Sequence, residues 1–466
     1  MIRRFMAYAN SFRKRMGVDH AIAYTFAARA CMIVGSTGTV LLIVRFLSNI
    51  QQGYYYTLLS LVNLQIIFEL GFSFIVLQLA AHEAVHLHFH RDGRVDGDRL
   101  RHDRLVAILQ KTVRWYLLAG AVMGVTLLPA GILFFYRTAP GESSTWLGPW
   151  TAAAFFTVIL FVVNPFCSFL EGCGQVRQVA AMRLGQAGLA VLAAWSCMLS
   201  GKGLYAPAMV NLGCIVAAAI FLWRRRNLFR ELLRHQARTD VVSWRAEVWS
   251  FQWKIAITWL CSYFAVQVLT PTLFAFRGAA EAGRLGMSVN IAAYMWNLVF
   301  AWMSTKAAPF GQLISRNNYA ALDQLFFRTL RQSLAVLVVL ILGCLAAILS
   351  IQVLFPGFAA RMVSPPLFVL LLLAAVSTLI VQSEAIYLRA HKEEPLLWQA
   401  VTIATMTSAG AYLVAPRYGV AGVCIVYFIC TGVIGVVSAS MIFHAKRQAR
   451  NRQFRAAAEI QFEAVS

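Results

Sequence analysis

Gly203-Leu204-Tyr205-Ala206 and Gly419-Val420-Ala421-Gly422 each open a long apolar run, and the two motifs stand 216 residues apart. Recurrence of one pattern at a constant offset marks an internal duplication. Outward from this pair, other anchors agree between the halves. The first apolar span of each half opens with Phe-x-x-base, as Phe26-Ala27-Ala28-Arg29 and Phe251-Gln252-Trp253-Lys254. The second spans both begin at a glycine, Gly53 and Gly283, and carry amides within the apolar run, Asn63 in one and Asn290 and Asn297 in the other. The fourth spans end in carboxylate-bearing breaks, Ser168-Phe169-Leu170-Glu171-Gly172 and Ser383-Glu384-Ala385-Ile386-Tyr387-Leu388-Arg389.

Composition says where these runs lie. Of the 466 residues, 60% are hydrophobic and 13% charged, and the mean hydropathy is +0.66. That is too apolar for a soluble globular chain, a disordered one or a secreted disulfide scaffold. A bilayer core of about 30 Å needs roughly 20 apolar residues per helix. Twelve stretches qualify: 21–47, 53–83, 112–136, 149–170, 176–200, 204–223, 250–275, 284–307, 332–355, 365–388, 395–415 and 419–443. The expected fold is therefore all-α and polytopic, with twelve transmembrane helices in two six-helix bundles. The expected division is a basic N-terminal segment (1–20), a first bundle (21–223), a linker (224–248), a second bundle (249–444) and a tail (445–466). Because each half holds an even number of spans, both insert in the same orientation, as parallel repeats about an axis along the membrane normal.

The net charge of +22, from 41 Lys and Arg against 19 Asp and Glu, is read as topology. With the N-terminus cytoplasmic, only Arg137, Lys202, Arg277, Arg284, Arg361 and Arg417 fall on the outer side, while most of the other bases fall on the inner one. That asymmetry places both termini in the cytoplasm. No soluble domain remains to use the basicity on nucleic acid. The nine cysteines all lie in or beside apolar runs, with no zinc-type Cys-x-x-Cys pair. No phosphate-cradling glycine loop occurs in the cytoplasmic segments, so no ATPase is built in.

The stretch Gly53-Tyr54-Tyr55-Tyr56-Thr57-Leu58-Leu59-Ser60-Leu61 leading to Glu69-Leu70-Gly71 resembles the second span of polysaccharide flippases. Glu171-Gly172-Cys173-Gly174-Gln175, Tyr387-Leu388-Arg389-Ala390 with Glu393-Glu394, and Tyr418-Gly419-Val420-Ala421-Gly422-Val423 are similar to motifs of the same family. The chain thus resembles the O-antigen, or Wzx-type, branch of the multidrug/oligosaccharidyl-lipid/polysaccharide exporter superfamily. What the resemblance implies is a V-shaped pair of six-helix bundles in the bacterial inner membrane, flipping an undecaprenyl-diphosphate-linked glycan from the cytoplasmic to the periplasmic leaflet. One departure stands out: the Asp often seen before Leu-Gly in that span is Glu69 here.

A charge inside the hydrocarbon costs roughly 2.5 to 3.5 kcal/mol on insertion scales and normally faces the bundle interior or a wet cavity. Arg29, about 12 Å into its helix, is expected to line a central cavity and bind diphosphate; its bland alternative is a local pair with an acid. Lys254, its repeat equivalent, either faces that cavity or snorkels to the interface. Arg183 and Lys306 are further candidate substrate-binding bases, together with Asn63, Asn290 and Asn297. Lys306 also reads as an interface anchor, and Arg45 as one. Glu69 is expected as a salt-bridge partner or a protonatable coupling site. Glu171 and Glu384, at equivalent helix ends, are expected as gating groups latching on Arg183 and Lys306 across the halves. His82, His86 and His90 recur at a spacing that fits one helical face, with His88 nearby; a polar helix end among headgroups is the reading preferred over a metal set.

No catalytic group, metal or cofactor is expected, although sodium or a proton could couple transport. The expected partners are the lipid-linked oligosaccharide, membrane lipids and other polysaccharide assembly proteins, with the chain a monomer. Competing readings are a multidrug exporter, a peptidoglycan lipid-precursor flippase, or a membrane glycan polymerase or ligase. A multidrug exporter would want acids in its cavity, and a polymerase or ligase would want a large outer loop, whereas the outer loops here are short.

Overall fold

The first helix, α1 (His20–Phe46), is followed by a second span built from three pieces. These are α2 (Asn49–Val62), a 3-10 turn (Asn63–Gln65) with α3 (Ile66–Glu69), and α4 (Phe72–Ala84). A computed structural model describes residues 20–90, 94–235, 250–316, 318–354, 356–391 and 393–463. After α4 a short antiparallel hairpin, β1 (Leu87–Phe89) and β2 (Val95–Gly97), leads to α5 (Arg99–Thr138), α6 (Ser143–Gly172), α7 (Val176–Leu199), α8 (Ala206–Arg224) and α9 (Arg226–Arg234). The second half holds α10 (Ser250–Val266), α11 (Leu269–Arg277), α12 (Ala279–Ser304), α13 (Ala307–Ser315), α14 (Tyr319–Leu354), the single turn α15 (Pro356–Ala359) and α16 (Pro365–Ala390). It ends in α17 (Leu397–Tyr427), a π-helical turn (Phe428–Gly435) and α18 (Val436–Glu463).

Among the described residues, nine helices are long and apolar enough to cross a membrane, and the last, Leu397–Arg450, is long enough for two of the expected spans. The second span misses that standard because it is broken, and the eighth because Glu281, Arg284, Asn290 and Asn297 dilute its apolar character. With these two, the twelve expected spans are all present. Several helices run past the expected boundaries. α5 starts at Arg99 instead of near 112, because Asp98 caps it by accepting from the Leu100 amide at 2.9 Å. α14 likewise starts at Tyr319 instead of 332, carrying Arg328 and Arg331 on a polar extension that hydropathy alone does not register. Large apolar side chains such as Leu118, Val125, Val339, Leu342 and Leu413 stand more than half exposed, as lipid-facing positions require.

The chain divides into two compact units, one holding the described residues up to Ser48 with Leu61–Trp253, the other Asn49–Ser60 with Lys254 onward. Residues 49–60, read from the sequence as part of the first bundle, therefore cluster with the second unit. The first unit packs by close approach of small residues, the usual mode between membrane helices. A Cβ on Gly213 of α8 would lie 2.7 Å from the Ala190 amide nitrogen of α7, so glycine is what lets those helices touch. Trp195 of α7 donates to Thr39 of α1 at 3.0 Å, and Trp150 of α6 donates to the Leu128 carbonyl of α5 at 3.0 Å.

The second unit has an aromatic core of Phe310, Phe326, Tyr387 and Phe443. The Tyr387 hydroxyl donates to Asp323 at 2.8 Å and Arg447 donates to the same carboxylate at 2.8 Å, joining α14, α16 and α18. Ahead of the twelfth span, Gly419 takes φ +54°, and the Glu281 carboxylate accepts from the Val420 amide beyond it at 3.1 Å. The glycine that opens the repeat motif is thus the kink where the twelfth span begins.

Candidate substrate site

The second span is broken in its backbone and the eighth, its repeat equivalent, is rich in polar side chains. In the second, the helix is interrupted at Leu70 (φ +49°, ψ +27°) and Gly71 (φ +71°, ψ +15°), two successive left-handed residues. Leu70 is the one non-glycine residue of positive φ among the described residues. Such a conformation costs a branched side chain roughly 1–2 kcal/mol and persists at sites where structure over-determines it. Broken backbone at membrane depth is tolerated where it is packed in protein or lines water. Glu69 is the last residue of α3, half-buried, without an ion-pair partner among the described residues. Two positions beyond the break, the Ser73 hydroxyl lies 3.0 Å from that of Tyr116.

In the eighth span, Asn290, Tyr294 and Asn297 recur at i, i+4 and i+7, which sets them on one helical face. Asn290 donates to the Gly286 carbonyl at 2.8 Å and Asn297 to the Ala293 carbonyl at 2.9 Å, so in each the side-chain oxygen is the group left to accept. Tyr294 and Asn297 are exposed on a membrane helix, a placement that calls for a wet surface.

Within the same unit a cavity of about 200 Å³ is lined by Ser262, Gln267, Trp296, Asn297, Thr378 and Tyr427 along with apolar neighbours. At ~30 Å³ per water, that is room for roughly seven waters or one compact polar group. The wall at Gln267 is a break in the seventh span, between α10 and α11. Pro271 has no N–H to offer the carbonyl four residues earlier, so the Gln267 carbonyl is released from the helix ladder beside the cavity. Tyr427, which closes another side, is the last residue before the π-helical turn, a form that recurs at functional sites.

Placement of the sequence-derived candidates is mixed. Asn297 lines the cavity, Asn290 shares its helical face, and Asn63 begins the 3-10 turn of the second span. Arg29 is exposed along α1 and has no acidic partner among the described residues. The Lys254 side chain lies outside the described residues. Lys306 is half-buried at the N-cap of α13, where the chain turns out of α12. Arg183 donates to Glu171 inside the first unit, so its charge is committed there. Glu384 is 4% exposed and accepts from the Ser440 hydroxyl at 2.7 Å inside the second unit. The partners these two acids show are thus internal to each unit. The histidine stripe does not form: α4 ends at Ala84, and His86, His88 and His90 follow it into the turn and hairpin.

Sequence reasoning missed Ser262, Gln267, Tyr294, Thr378 and Tyr427. Two signals were present: Pro271 four residues after Gln267, and Tyr294 completing the stripe between the two asparagines.

The chain matches no protein-family profile and no curated protein. Solved structures do match. An inward-facing multidrug resistance MATE family transporter of the MOP superfamily aligns over 89% of this chain and 98% of its own, with 15% identity and TM-score 0.58. An outward-facing form of such a transporter aligns over 92% and 96%, with 12% identity and TM-score 0.54. A MATE structure in the straight conformation gives 93% and 96%, 13% identity and TM-score 0.57. The protein is a multi-pass membrane protein whose fold is that of the MATE transporters.

Proposed function

We propose that this protein is a flippase for lipid-linked oligosaccharides, moving an undecaprenyl-diphosphate-linked repeat unit from the cytoplasmic to the periplasmic leaflet of a bacterial inner membrane by alternating access. The observation that carries the proposal is Arg29. It is a permanent cation on α1, nine residues past that helix's first residue, exposed and without an acidic partner among the described residues. A guanidinium so placed is suited to a diphosphate, which it binds bidentately. Lys254 supplies the equivalent cation from the second repeat, and Lys306 a further one. The cavity side chains suit a glycan: Gln267 and Asn297 offer amides, and Trp296 and Tyr427 offer aromatic faces. Glu69, at the break of the second span, takes the role of coupling or pairing group.

A multidrug exporter is the second reading, favoured by the fold shared with multidrug resistance transporters. It predicts acids as the dominant intramembrane charges. Proteoliposomes separate the two. Purified protein should move a fluorescent diphosphate-linked lipid oligosaccharide to the opposite leaflet, as read by reductant quenching, and should leave a cationic dye gradient unchanged. Dye transport without lipid movement would reverse the assignment.

A further inference from the structure

We propose that His102, Asp103 and His235 form a binding site for a zinc-class divalent cation in the first unit. The ligand atoms of these three residues all lie within 4.8 Å of one another. The His235 Nε2 stands 2.8 Å from Asp103 Oδ1, and the two imidazole rings meet edge to face with centroids 4.6 Å apart. Two imidazoles and a carboxylate are a ligand set that zinc accepts, with water completing a tetrahedron. At zinc–ligand distances near 2.0–2.1 Å, tetrahedral ligands sit about 3.3 Å apart, so the cluster needs side-chain adjustments on the order of 1 Å.

An ordinary His–Asp pair accounts for the contact between His235 and Asp103 but leaves the second imidazole unexplained. The His102 Nε2 is buried and has no hydrogen-bond partner among the described residues. Buried polar atoms are nearly always paired, and a ring nitrogen kept unpaired beside another imidazole and a carboxylate is what a ligand position requires.

The elements holding the three residues are fixed independently. His102 and Asp103 lie in the first turns of α5, whose start is set by the Asp98 cap. His235 is the C-cap residue of α9, a helix that buries Leu228, Phe229 and Leu232 and packs Phe229 against Phe166 and Phe169. The Gln110 side chain donates to the His235 carbonyl at 2.9 Å, which holds that residue beside α5. Such supporting hydrogen bonds preset a ligand's position. A bound cation would clip the end of α9, where the first half leads into the linker, to the start of α5.

Zinc chloride titrated calorimetrically into metal-stripped full-length protein in detergent should report one site per chain. His102→Gln and His235→Gln should each weaken it by about 100-fold or more, since loss of even a supporting partner costs a metal site 10- to 100-fold. His88→Gln, in the hairpin, should leave it unchanged. X-ray absorption of the zinc-loaded wild type, which needs no variant to fold, should show two imidazoles and oxygen at first-shell distances. The proposal is overturned by absence of stoichiometric zinc binding, by binding that survives the His102→Gln/His235→Gln double substitution, by loss of binding in His88→Gln, or by a first shell of three or more imidazoles.

Discussion

Replacing Gly53 with alanine should destabilise the protein, and the structure supplies the magnitude. Gly53 lies on α2 against the start of α12, where an added Cβ would meet the Ala279 carbonyl oxygen at 1.9 Å and the carbonyl carbon at 2.4 Å. Both are backbone atoms, so no rotamer change relieves the clash and one helix must retreat. Overpacking of this kind costs about 1–3 kcal/mol. Retreat also stretches the hydrogen bonds beside it, from Gln52 Nε2 to the Gly283 carbonyl at 3.0 Å and to the Arg361 carbonyl at 2.9 Å. Each contributes roughly 1 kcal/mol, so loss of both brings the total to about 3–5 kcal/mol. Gly188 is the internal control: it lies within α7 with nothing inside 4 Å of an added Cβ. There alanine removes only the helical penalty of glycine and should stabilise by about 0.5–1 kcal/mol. Thermal unfolding in detergent followed by tryptophan fluorescence measures both. A Gly53→Ala protein melting at or above the wild-type temperature would refute the packing argument.

Other outcomes follow from named contacts. Glu83 is 2% exposed and held by Arg101 at 3.0 Å and Arg104 at 2.9 Å, so Glu83→Ala leaves two cations without their acid and should cost about 3–5 kcal/mol by the same melting assay. Asp323→Asn should cost about 1.5–3 kcal/mol, since the Asp323 carboxylate joins Tyr387 and Arg447 by charge-assisted hydrogen bonds. Burial works against the charged form of Glu393, in the loop before α17, but Arg450 and Lys446 outweigh it and hold the carboxyl below its usual range. A lowered carboxyl stabilises fully above the unfolded value of about 4.3 and loses that contribution as pH falls through the folded value. Melting temperature measured from pH 6 to pH 3 should therefore decline less steeply in Glu393→Gln than in the wild type, and parallel profiles would count against the assignment.

The two-half architecture was legible because lipid imposes length on apolar runs and the repeat set their register. The Gly203 and Gly419 motifs do mark the starts of equivalent spans, at a 3-10 turn in one case and a kink in the other. Helix ends were less legible: hydropathy sees the bilayer, whereas the Asp98 cap and the polar first turns of α14 are set by local hydrogen bonding and amphipathicity. Breaks inside spans were hidden for a related reason. Glu69-Leu70-Gly71 was visible as a motif, but a left-handed leucine is decided by packing around it and leaves no compositional trace. Among the charges, depth in the span identified Arg183 and position at a helix end Glu171 as candidates, yet neither could show that they satisfy each other, because pairing depends on how α6 meets α7. The asparagines of the eighth span were found because an amide in an apolar run is costly wherever it sits.

The most direct test of the central claim is flipping by Arg29 variants in proteoliposomes, measured with the diphosphate-linked lipid oligosaccharide at matched protein levels. The account predicts that Arg29→Ala abolishes movement and that Arg29→Lys retains part of it, because charge survives while bidentate geometry is lost. Wild-type flipping by Arg29→Ala would contradict the account.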